Sequence, residues 1–131
     1  MKGIVCLILV LCISSGSSAG TVRPTVWIDA DPACGTGRTA DVDDCWAIAF
    51  ALTSRQFTVP GLSIVFGNAE RAVTYQTAEM LLEALRQKAP DRLLPNLYGG
   101  AHKAISTKSS SSLAVQAMAR TLSVQKMTIL A

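Results

Sequence analysis

Thr25-Val-Trp-Ile-Asp29-Ala-Asp31-Pro32, followed by Asp41-Val-Asp43-Asp44-Cys-Trp-Ala-Ile-Ala-Phe-Ala-Leu52, decides the fold. Residues 25–29 are apolar, β-branched and aromatic and are bounded by Pro24 and a Pro-Gly-Thr-rich stretch, which predicts a short buried strand. Asp41 can cap a helix over 42–53, and Cys45 to Leu52 are apolar on every face, the pattern of a helix covered from several sides. Working outward, 61–66 predicts a second strand closed by Gly67-Asn68. A helix over 74–89 follows, with Ala78, Leu81, Leu82 and Leu85 at helical spacing and Pro90 as its stop. Asn96-Leu-Tyr98 is a third short strand. The serines at 109–112 offer caps for a helix to about Val124, and Met127 begins a fourth strand. The order β-α-β-α-β-α-β implies an α/β fold with right-handed crossovers and a mainly parallel sheet, whose ligand sites lie beyond the carboxyl ends of the strands.

The composition bounds the function. The chain has 131 residues, 50% of them hydrophobic and 16% charged, which excludes a disordered or collagen-like chain and a large multidomain enzyme. The net charge of +3 is scattered, so no basic stripe is present to neutralise phosphates, and nucleic acid is not an expected partner. Lys2, the apolar run from Gly3 to Ile13 and the small residues ending at Ala19 have the layout of a secretory signal peptide over 1–19. The expected mature chain is 20–131, secreted or periplasmic, with no membrane span; Leu11 before Cys12 argues against a lipid anchor. Cys34 and Cys45 can pair in an oxidising compartment. The preferred reading is that Cys45 packs as a small hydrophobe and Cys34 is free in a loop.

Five of the nine acidic residues, Asp29, Asp31, Asp41, Asp43 and Asp44, fall in a segment whose only basic residue is Arg38. Like charges held close raise one another's pKa and oppose folding, whereas a hard divalent cation turns the same cluster into a site. Asp29 and Asp31 leave the first strand and Asp43 and Asp44 open the next helix, so all four are expected to converge on one crevice. The plainer reading is that Asp41 and Asp43 complement the helix N-terminus and Asp29 caps a turn, worth roughly 0.3–1 kcal/mol each.

These residues carry a family resemblance. Val26-Trp-Ile-Asp29-Ala-Asp31-Pro32, Asp43-Asp44-Cys-Trp-Ala-Ile48 and Gly61-Leu-Ser-Ile-Val-Phe-Gly67-Asn68-Ala69 resemble the amino-terminal signature of the inosine/uridine-preferring nucleoside hydrolases, with weaker likeness at Leu97-Tyr98-Gly-Gly-Ala101 and from Ser112 to Ala131. The family motif is Asp-x-Asp-Pro-x-x-Asp-Asp; here the longer segment from Ala33 to Val42 separates the proline from the paired aspartates, as in a variant branch. The resemblance implies a Rossmann-like sheet, a ribonucleoside substrate cleaved to ribose and free base, and a calcium ion (Ca2+). By it Asp31 is a metal ligand and general base, Asp44 ligates the metal, Asp43 holds a ribose hydroxyl, Asn68 lies at the sugar, and Asp29 orients its neighbours. The family fold is more than twice this length and takes a backbone carbonyl, a further aspartate and the leaving-group residues from its later part. The expectation is therefore an incomplete domain with little or no turnover, compatible with a homo-oligomer. Calcium commonly takes about 6 to 8 oxygen ligands, so the few carboxylates present would leave most positions to water.

Other readings compete less well. A secreted pseudoenzyme that binds a metal or nucleoside without turnover is the main alternative. A phosphatase of the haloacid dehalogenase type also uses Asp-x-Asp after its first strand, but it leaves Asp43, Asp44 and Asn68 unexplained. An EF-hand fails at Ala33, and Gly35-Thr-Gly37 lacks the Gly-Lys-Ser/Thr end of a phosphate loop. His102 is read as a solvated loop residue, and Trp27 and Trp46 as core.

Overall fold

In the computed structural model, residues 22–35, 41–104 and 111–131 are described. The signal-peptide reading of 1–19, and the caps at Ser109 and Ser110, lie outside them. The elements run β1 (Val26–Ala30), α1 (Asp43–Thr53), β2 (Gly61–Ile64), α2 (Arg71–Lys88), β3 (Asn96–Gly99), α3 (Leu113–Val124) and β4 (Thr128–Leu130). The chain is an α/β fold with one four-stranded, all-parallel sheet in the order β3-β2-β1-β4.

Element types follow the expected order, with differences at the ends. The second helix begins one turn early, at Arg71, and stops before Pro90, which lacks the amide hydrogen a further turn requires. β2 ends at Ile64 rather than residue 66, although Val65 and Phe66 still donate to Ala30 and Ala101 carbonyls. Ser112 is the cap of α3, its hydroxyl accepting from the Val115 amide at 3.2 Å. Arg92 caps the other end of α1, its guanidinium donating to the carbonyls of Leu52, Thr53 and Ser54.

The sheet's two faces differ. Ile28, Ala30, Leu62 and Ile64 share one face and form the main core with Ile48, Ala51 and Leu52 of α1 and Ala78 and Leu82 of α2. The strand alternation puts Trp27, Asp29, Ser63 and Tyr98 on the other face. There Trp27 is fully buried, stacks on Tyr98 with centroids 5.6 Å apart, and donates from Nε1 to Ser63 Oγ at 3.0 Å. Its indole lies where a Cβ on Gly61 would sit, so only glycine fits at the start of β2.

Trp46 does not pack in the core: it is 72% exposed, and Phe50 is 67% exposed. Cys45, Ile48, Ala51 and Leu52 take the buried side of α1, which turns Val42, Trp46 and Phe50, spaced four apart, outward among the described residues. A uniformly apolar helix does not reveal which stripe faces inward. Trp27 is core, as expected, and His102 is exposed in its loop.

Candidate functional site

The sheet order reverses at β1: β2 and β3 build outward on one side and β4 on the other. In open parallel sheets such a reversal leaves a crevice beyond the strands' carboxyl ends, because the connections on its two sides diverge. Asp31 lies one residue past β1 at this point, Asp44 lies in the first turn of α1, and Asn68 lies in the connection after β2.

Asp31 and Asp44 are brought together. The Asp31 backbone amide donates to Asp44 Oδ2 at 2.7 Å, and the two carboxyl groups are within hydrogen-bonding reach of each other. Burial, joined by the Asp31 carboxyl and the charges of Asp31 and Asp43, pushes Asp44 above the usual carboxylate range, although the Asp31 amide favours its ionised form. On the other side of Asp31, its Oδ2 accepts from the Asn68 backbone amide. Gly67 is required there, because the Asp31 carboxylate occupies the space its Cβ would take.

A second network lies at the rim. The Asn68 side-chain amide donates to Asp41 Oδ2 at 3.2 Å, while Asp41 Oδ1 accepts from the Asp43 backbone amide at 3.3 Å. Asp41 therefore closes a turn just before the helix, and α1 begins at Asp43 with Val42 in the cap position. Hydrogen bonding from the Asp43 side chain, reinforced by the Asp43 amide, holds Asp41 below its ordinary range. Asp43 is exposed, and its Oδ1 accepts from the Asp44 amide at 2.8 Å.

No family model, curated protein or solved structure matches this chain.

Two expectations about this region change. Asp29, expected to converge with Asp31, Asp43 and Asp44, instead has its Oδ1 accepting from the Ser63 hydroxyl on the Trp27 face. The cysteines are joined as a Cys34–Cys45 disulfide with Cα atoms 6.3 Å apart, so Cys34 is not free. The turn at Cys34-Gly35, where Gly35 has φ +81°, and the first turn of α1 bring the pair within bridging range.

Sequence reasoning also missed Ser63 and the contact of Asp41 with Asn68. A lone hydroxyl within Gly61-Leu-Ser-Ile64 was a usable signal, since a buried polar group needs a partner. Nothing local pairs Asp41 with Asn68, 27 positions apart.

The donor set suits a hard cation in kind, because Asp31 and Asp44 present paired carboxylates with oxygen-bearing Asn68 beside them. It falls short in number: among the described residues no group of three or more His, Cys, Asp and Glu side chains is arranged to hold a metal.

Proposed function

We propose that the crevice beyond β1 is a calcium- and ribonucleoside-binding site of the nucleoside hydrolase type, with Asp31 and Asp44 toward the cation and Asp43 and Asn68 toward the ribose. The observation that carries this reading is the meeting of Asp31, Asp44 and Asn68 at the sheet's reversal point. Two half-buried carboxylates side by side repel each other unless a proton or a cation lies between them; Asp44 is raised chiefly by burial, with the Asp31 carboxyl adding to it.

The reaction this set would serve is hydrolysis of an N-glycosidic bond. The Asn68 amide and Gly67 fix the Asp31 carboxylate, whose remaining oxygen can accept a proton from an attacking water. That water bonds to the anomeric carbon as the bond to the base breaks; the base leaves with the electron pair and takes a proton. Calcium, when bound, would lower the pKa of the water and neutralise the paired carboxylates. In this reading Asp43, which is exposed, and the Asn68 side chain, which now donates to Asp41, would turn to the ribose hydroxyls. With few carboxylates gathered there among the described residues, calcium affinity on the order of 10⁻⁴ M or weaker is expected. Asp29, the nucleophile in a phosphatase reading, is engaged by Ser63 instead.

Calorimetric titration with calcium, beside Asp31→Asn and Asp44→Asn and a nucleoside hydrolysis assay in the same buffer, tests the proposal. Saturable binding lost in both variants supports the site, and turnover lost with it supports the reaction. Binding without turnover favours the non-catalytic alternative; no binding by the folded protein removes both.

A further inference from the structure

The β1–α1 connection is closed twice. Asp44 Oδ2 holds the Asp31 amide, and a covalent bond joins Cys34, three residues after Asp31, to Cys45, the residue after Asp44. The two links run in parallel between the same strand end and the same helical turn. Without a cation the Asp31 and Asp44 carboxylates repel. The disulfide opposes that repulsion by holding the two segments at a high effective concentration of one another.

We propose that the Cys34–Cys45 disulfide is the positioning element of the Asp31–Asp44 pair, and that thiol–disulfide exchange with a dithiol releases the pair and weakens the site. The inference rests on the cation-site reading for its functional consequence, but not for the geometry it describes.

Access favours exchange at one sulfur. Cys34 is half-buried beside exposed Gly35, around which a Cβ would meet open space, whereas Cys45 lies on the buried side of α1. A thiolate of the dithiol attacks Cys34 Sγ, and the electron pair of the S–S bond departs on Cys45 Sγ, which takes up a proton. The second thiol of the reductant then attacks the reductant's own sulfur in the mixed disulfide, expelling Cys34 as a thiol. The protein gains two electrons and two protons, and the dithiol becomes a cyclic disulfide.

The test is amide hydrogen exchange by NMR on the full chain, without calcium, in oxidised and dithiol-reduced forms and in Cys34→Ala/Cys45→Ala. Alanine keeps a small apolar group at the buried position, and chemical reduction supplies the comparison if that variant folds poorly. The Asp31 amide is expected to exchange at least about tenfold faster on reduction and to recover on reoxidation, with Leu62 and Ile64 amides in β2 unchanged. Calcium affinity, titrated on the same samples, should fall by about tenfold. Unchanged Asp31 exchange would overturn the proposal. So would parallel acceleration at Leu62 and Ile64, which would make the bond a staple of the whole domain. Failure of the oxidised chain to bind calcium sinks the cation reading, and Asp31 exchange alone then decides whether the disulfide holds the pair.

Discussion

β2 and β4 both pair in parallel with β1, yet every residue of β2 is buried while all three of β4 are exposed. Part of the difference comes from the helix layers. α2 and α3 both pack on β2 and β3, and the core cluster joins β1 and β2 to α1 and α2. Among the described residues the main neighbour of β4 is β1, and Ile129 and Leu130 keep nearly half their surface. β2 also carries a second ladder, with β3, whereas β4 is an edge strand paired on one side, so both the extra pairing and the helix cover separate the two strands. The candidate site lies on this boundary, with Asp31 leaving the strand that β2 and β4 share.

The sharpest way to break the comparison is to shorten one leucine on each strand. Leu62→Ala, at a fully buried position, is expected to cost about 2–5 kcal/mol, from lost transfer energy and an unfilled cavity. Leu130→Ala should cost less than about 1 kcal/mol, because solvent already reaches that side chain. Urea denaturation of both variants checks the ratio; equal losses would mean that β4 is as much a part of the cooperative core as β2.

The same asymmetry explains what could be read from the amino acids. β1 and β2 were legible because short apolar runs sit between Pro and Gly boundaries, and α2 because its leucines repeat at helical spacing on one side only. The type of α1 was legible, but its orientation was not, since Trp46 and Phe50 are as apolar as Ile48 and only packing distinguishes them. At the site, Asp31 and Asp44 could be foreseen together, because one leaves a strand and the other opens the following helix. The Cys34–Cys45 pairing was one of two readings the sequence allowed and only the fold decides it, while the Asp41–Asn68 contact and the turning of Asp29 to Ser63 depend on three-dimensional paths that no local pattern encodes.

A polar pair of positions sharpens the contrast at intermediate size. Ser63→Ala in β2 removes the acceptor of the buried Trp27 Nε1–H and the donor to Asp29, and should cost about 1–3 kcal/mol. Thr128→Ala in β4, exposed, should stay within about 0.5 kcal/mol. Thermal unfolding followed by Trp fluorescence reads both, and a neutral Ser63→Ala would show that Trp27 finds another partner.

The smallest effect separates the inner and rim acids. Burial raises Asp44 in the folded state above its ordinary value of 3.8, so the folded chain binds more protons than the unfolded chain between that value and the raised one. Stability from this group is therefore fully present below the unfolded value and declines as pH rises through the folded one. Asp44→Asn, which retains an oxygen for the Asp31 amide, should flatten that decline. It should stabilise the calcium-free protein at neutral pH by less than about 1 kcal/mol, since a half-buried charge is partly screened. Asp41 shifts the opposite way, held down by hydrogen bonds from Asp43, so its contribution is present above the unfolded value and is lost as pH falls. Asp41→Asn should accordingly destabilise at neutral pH. Denaturant titrations in a chelator, run on both sides of the ordinary carboxylate value from about pH 2 to 7, compare the two variants; slopes of the same sign would show that inner and rim carboxylates respond as one cluster rather than as opposed halves of it.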